Sequence, residues 1–198
     1  MPTENIPPVS TGRVRWRKFA LLIIPAGAVA ALLVSLTATG AIAASISVSG
    51  TAFEVTASQF TGTGFEQYGG TVTSSNGATH PVAITALRSG QITDLCQSVA
   101  VGPFILVLRA GDNGTPAAVS NIVIDADQQT GNASFSNVTI GQDAGTLTED
   151  PGHTGTAGGF GEQADSFAIT NLRQHTWLTT AGTFTLPGLS LSFSHTGC

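Results

Sequence analysis

Lysine is almost missing from this 198-residue chain, which has a single one, Lys18, and only seven basic residues in all. Four of the seven, Arg13, Arg15, Arg17 and Lys18, precede residue 19. From Ser45 onward, Arg88, Arg109 and Arg173 stand against eleven acidic residues, a formal charge of −8. Phosphate recognition rests on clustered Lys and Arg, so no nucleic-acid partner is expected. An anionic lipid surface would repel such a chain as well. Two other absences narrow the chemistry. The G-x-S-x-G elbow of α/β-hydrolases is missing, as is the strand and helix alternation that would carry it. No CxxC or His-rich spacing accompanies either of the two cysteines, so neither a metal nor a cofactor is called for.

What the N-terminus does contain is a long apolar run. "RVRWRK" precedes "FALLIIPAGAVAALLVSLTATGAIAA", residues 19–44. Basic residues ahead of an apolar stretch stay in the cytoplasm, and the chain beyond the stretch is exported. "AIA", residues 41–43, offers the small-x-small pattern of a cleavage site, leaving Ala44 or Ser45 as the new terminus. The competing reading is an uncleaved hydrophobic helix anchoring the protein, since Phe19 to Thr39 approaches the roughly 20 residues needed to span a bilayer. Either way, residues 1–44 are leader or anchor. Residues 45–198 suit a single extracellular β-rich domain.

In an oxidising compartment the cysteine pair, Cys96 and Cys198, favours one disulfide, which ties the last residue to the middle of the chain. Closing a loop of that length contributes on the order of 4 kcal/mol in the chain-entropy account. Runs such as "FEVTA", "PVAITAL", "FILVLRA", "NIVIDA", "SFAITNL" and "LSLSF" alternate apolar with small polar residues, and Gly, Asn and Asp punctuate them. No apolar period of 3.6 is present beyond the leader. The fold class is therefore all-β. "AITALR", residues 83–88, returns as "AITNLR", residues 168–173, with five of six positions identical. Such an echo between short strands suggests stacked rungs, so a β-helix-like solenoid is expected, with a β-sandwich as the alternative. Residues 148–163 and 68–81 read as loops.

Candidate sites are few. Asp165, Ser166 and His175 are the nearest acid, nucleophile and base, and triads are recognised by geometry rather than order. Asp and Ser at a strand start also cap turns, which accounts for the same residues without chemistry. "DADQQTGN", residues 125–132, opens like a calcium loop but lacks the terminal Glu, and it reads equally as an Asx-rich turn. Trp177 and Tyr68 could stack on a sugar or sterol face, or simply pack. Asn113, Asn132 and Asn137 head N-x-S/T triplets, glycosylation acceptors where the source modifies exported proteins.

The segments "RVRWRKFALLIIPAG", "GTGFEQYGG", "ITDLCQSV", "FSNVTIGQDAGTL" and "GEQADSFAITNLRQHTWLTTAGTFTLPGLSL" together resemble a family of short secreted actinobacterial proteins, chiefly of streptomycetes and their relatives. Some members carry the label cholesterol esterase. The resemblance spans nearly the whole chain and implies a secreted protein, with sterol-ester hydrolysis as one expectation. It brings no catalytic residues with it. Two functions are thus expected: a noncatalytic envelope protein meeting a membrane or cell-envelope partner, or an ester hydrolase acting on sterol or lipid esters. The hydrolase requires a nucleophile within hydrogen-bond reach of a base, beside an apolar pocket large enough for a sterol. The envelope protein requires neither.

Overall fold

A computed structural model describes residues 48–150 and 152–198. The expected leader or N-terminal hydrophobic helix and its cleavage site lie outside the described residues. Ile46–Cys198 form one compact unit. It is all-β, with eight strands: β1 (Phe53–Thr73), β2 (Thr79–Thr93), β3 (Leu95–Val101), β4 (Phe104–Ala110), β5 (Ala117–Ser136), β6 (Thr139–Asp143), β7 (Phe160–Thr185) and β8 (Ser190–Ser194). A single 3-10 turn, Ala144–Thr146, is capped by the Asp143 carboxylate.

The strands run far longer than rungs. β1, β5 and β7 have 21, 20 and 26 residues, and every pairing between named strands is antiparallel. The stacked solenoid therefore gives way to one antiparallel sheet, in the order β6-β7-β5-β2-β1-β3-β4-β8. A further pairing of β7 with β1 closes β1, β2, β5 and β7 into a ring of hydrogen-bonded neighbours. β3, β4 and β8 extend from one end of the ring as a three-stranded wing. The supposed loop at 68–81 is mostly strand, because Ser75 and Asn76, followed by Gly77 in the left-handed region, make a short hairpin turn closed by the Gly77 N–H on the Ser74 carbonyl. Ser74 N–H donates to the Ala78 carbonyl at 2.8 Å there, and Gly77 has φ +85°. The other expected loop is irregular up to Gly158, after which β7 begins at Phe160.

Inside the ring, Phe60, Phe65, Leu87, Ile122, Phe167, Ile169 and Leu172 form the main core. Phe167 meets Phe60 edge-on at 5.0 Å and Phe65 at 5.7 Å. Packing this dense leaves no room on the backbone beneath it. A Cβ at Gly62 would meet the Ser89 carbonyl and come within 2.6 Å of the Phe167 ring. Two residues on, Gly64 takes φ +67°, a conformation that glycine adopts without penalty. Strand alternation resets there: Phe65 turns inward, while Glu66, Tyr68 and Val72 go to the opposite face. Ala144 and Leu147 cover Tyr68 on that face.

The echoed hexapeptides are the two flanks of β1. Residues 83–87 pair with β1 from Phe65 to Gly69, and residues 168–173 pair with its other edge from Thr56 to Thr61. They are not rungs of a repeat. Cys96 and Cys198 are joined by a disulfide, with Cα atoms 5.9 Å apart, fastening the tail to β3.

Candidate functional site

β5 and β7 pair in step as far as Asp125 opposite Leu178. β7 then carries an extra residue, Trp177, before Thr176 faces Ala126. Immediately afterwards β5 carries an extra residue, Asp127, before Gln128 faces His175. Bulged residues leave the alternation of the ladder and re-aim their side chains, and these two are aimed at each other. Trp177 Nε1–H donates to Asp127 Oδ2 at 2.9 Å, while Asp127 Oδ1 lies 2.6 Å from His175 Nδ1. Burial by itself would raise the Asp127 carboxyl. The hydrogen bonds from Trp177 and His175 outweigh it and hold the group below the usual carboxylate range.

The indole continues the chain of contacts to the β1–β2 hairpin. His80 lies flat on Trp177, ring centroids 3.6 Å apart and planes within 19°, and His175 meets the same indole edge-on at 5.9 Å. His80 Nε2 is 2.9 Å from Ser74 Oγ. Hairpin geometry explains this last pair: with Val72 opposite His80, the residue just beyond the strand end folds back over the ring. Ser74, His80, Trp177, Asp127 and His175 thus form one contiguous polar and aromatic track from the β1–β2 hairpin to the interior of β5 and β7.

Trp177 also borders a cavity of about 440 Å³ inside the wing end of the ring. Its walls are largely apolar: Phe53, Val55 and Phe60 from β1, Ile92 and Leu95 from β2 and β3, Ile122 and Ile124 from β5, and Leu172, Leu178 and Phe184 from β7. Gln97 and Gln174 supply amides to this lining. Gln174 is only 4 % exposed, and the buried Thr176 Oγ1, a little further along β7, has no hydrogen-bond partner among the described residues. A mostly apolar cleft with a few polar groups on its wall is the usual form of a small-molecule site.

The opposite face holds a second polar cluster, of another kind. Glu66 is fully buried beneath the β6–β7 connection; Oε1 accepts the Asp150 N–H at 2.7 Å, and Oε2 has no partner among the described residues. Burial pushes the Glu66 carboxyl above its ordinary range, opposed by the Asp150 backbone hydrogen bond and reinforced by the nearby Asp150 charge. Burial likewise raises the Tyr68 hydroxyl, with Asp125, Glu66 and Asp150 adding to it. Asp150 Oδ2 is held in turn by His153 Nδ1 at 2.9 Å. These contacts pin the connection onto β1.

The expected catalytic set is not assembled. Ser166 and His175 lie on the one strand β7, nine residues apart, and at about 3.3 Å per residue they are separated by roughly 30 Å. Ser166 faces Thr63 and Ser136, while Asp165 accepts from Asn137 Nδ2. His175 does have an acid, but it is Asp127. Residues 125–132 are neither a calcium loop nor a turn: they lie within β5, and burial raises the Asp125 carboxyl. Among the described residues no group of His, Cys, Asp and Glu is arranged to hold a metal ion. Of the two stacking candidates, Tyr68 is buried and Trp177 borders the cavity. Asn113, Asn132 and Asn137 are all exposed.

Sequence reasoning missed the Ser74–His80 pair and the cavity. A signal for the pair was present, since Asn76-Gly77 fixes a hairpin that brings residues 74 and 80 together. No curated protein and no solved structure matches the chain. Residues 49–198 match the model of a family of unknown function, DUF6230, and the chain belongs to that family.

Proposed function

We propose that this is an exported cell-envelope module that binds an apolar small molecule of the sterol or lipid-ester class in the cavity beside Trp177. The observation that carries the reading is a largely apolar cavity of about 440 Å³ with two amide side chains, Gln97 and Gln174, on its wall. Ligand hydrocarbon would replace the missing contacts of the walls. A hydroxyl or ester carbonyl of the ligand would hydrogen-bond the wall amides. Export is supported by the basic and apolar N-terminal sequence, and the Cys96–Cys198 bridge is compatible with an oxidising compartment. The resemblance to secreted actinobacterial proteins, some labelled cholesterol esterase, agrees in ligand class.

One observation favours ester hydrolysis as a second reading. Ser74 Oγ and His80 Nε2 are at nucleophile-to-base distance, 2.9 Å. Against it, Ser74 is only 3 % exposed, and no acid among the described residues orients His80. Binding therefore stands first.

The test uses the chain from Ser45, in which Trp177 is the sole tryptophan and an internal reporter on the cavity wall. Titration with cholesterol and with a cholesteryl ester should change Trp177 emission with saturation in the micromolar range or below. Ala181→Trp adds a second indole to the wall and should weaken binding at least tenfold, read by co-elution of labelled ligand. Absence of saturable binding to either lipid would remove the proposal. Release of free fatty acid above a mock preparation, abolished by Ser74→Ala, would promote the second reading over the first.

A further inference from the structure

The wing formed by β3, β4 and β8 has two unlike faces. Its register sets side chains in rows, because directly opposite residues project to the same side of a sheet. Gln97, Leu108 and Leu191 make one row, Val99, Leu106 and Phe193 the next, and Val101 and Phe104 the last. The first row opens into the cavity through Gln97. Away from the cavity the face is exposed: Val101 and Phe104 at 46 %, Leu191 at 62 % and Phe193 at 66 %, with Leu189 beside them at 55 %. Phe104 and Phe193 touch at 6.4 Å between ring centres. Arg109 is the one charged residue of the three strands, and alternation puts it on the other face. Contiguous apolar surface of this kind marks an interaction site.

We infer that this face docks onto the surface of an uncharged lipid bilayer, with the cavity mouth turned toward the membrane. Two features identify the occupant. First, the described chain enters at Val48, which itself lines the cavity. The apolar run of the sequence ends at Thr39, and the eight residues between them span at most roughly 30 Å. A chain retained in the membrane by that run keeps the cavity end within this distance of the bilayer, and a chain released from it was there at export. Second, charge is segregated: the domain carries −8 overall from Ser45, yet the wing strands place no charged side chain on this face, and the one titratable ring against it is His195, beside Phe104. A neutral hydrocarbon and headgroup boundary accepts that face, and its contact is insensitive to salt. The inference stands on the wing and does not depend on the cavity holding a lipid.

The test is vesicle co-sedimentation of the chain from Ser45, which contains the whole compact unit with its core and disulfide. Phosphatidylcholine vesicles should bind it equally at low and high salt, and phosphatidylglycerol vesicles less. The double variant Leu191→Ser, Phe193→Ser changes two side chains that are mostly in solvent. It should keep the wild-type melting curve and lower the bound fraction at least tenfold. Ile140→Ser with Phe160→Ser, equally exposed but on β6 and at the start of β7, should bind like wild type. No association of the wild type with phosphatidylcholine, or equal loss in both double variants, would overturn the inference. So would a lipid-free dimer that the wing variant dissociates, because β8 would then be the seam between two copies of the chain.

Discussion

AITALR in β2 and AITNLR in β7 differ at one position, and their side chains are buried in different places. In β2 the run is regular, so Ile84 and Leu87, an odd number of residues apart, point to opposite sides. Leu87 enters the main core, while Ile84 packs with Tyr68, Val72 and Trp177 on the other face. In β7 the differing residue, Asn171, takes φ +53° and drops out of the ladder between Thr170 and Leu172. Alternation shifts by one, and Ile169 and Leu172 both enter the main core. Asparagine visits the left-handed region far more readily than alanine. One substitution therefore decides whether the same hexapeptide serves two cores or one.

The isoleucines should separate the two runs most clearly. Ile169→Ala should lower unfolding stability by about 2–5 kcal/mol, the range for a buried aliphatic side chain, since Ile169 is 3 % exposed. Ile84→Ala, at a half-buried site, should lose less than half as much in the same urea titration. Equal losses would mean that the two runs pack alike. At the differing position, Asn171→Ala should lower stability by about 1–2 kcal/mol, the strain of a left-handed alanine, whereas Asn171→Gly should be nearly neutral. The smallest effect concerns the partner of Ala86 across the ladder, Glu66. Its carboxyl is raised in the folded protein, so ionisation opposes folding above the raised value, and this penalty is absent below the ordinary carboxylate pKa. Glu66→Gln should therefore be about 1 kcal/mol more stable at neutral pH, raising the melting temperature by about 2–4 °C. The advantage should shrink as pH falls through the raised pKa, and a difference that persists at low pH would assign the gain to something other than charge.

The same physics decides how far the sequence could be read. Alternation and turn residues were enough for an all-β fold, because period-2 patterns need only one buried face. Arrangement was not legible, since the repeated hexapeptide looked like a unit when it was two flanks of β1. Residues 125–132 looked like a loop because the far half of β5, from Asp127 to Ser136, is exposed and carries no apolar alternation until Phe135. Bulges hid the site in the same way. Trp177 and Asp127 are separated by fifty residues and meet only because each is the extra residue of its strand. Ser166 and His175, near in sequence, are held apart because the residues between them run as extended strand.

Closure of the ring also sets the order of events in the life of the chain. One edge of β1 is filled by β2 and β3, but the other finds its partner only in β7, on the order of 100 residues later, so that edge stays open through most of synthesis. Contacts of such high sequence separation must meet their loop-closure entropy before any packing offsets it. A polypeptide emerging N-terminus first therefore stays open until residues 161–176 arrive, and then closes in one late step. That delay leaves the ring open through most of synthesis, and it makes β7, rather than β1, the strand at which the ring acquires its shape.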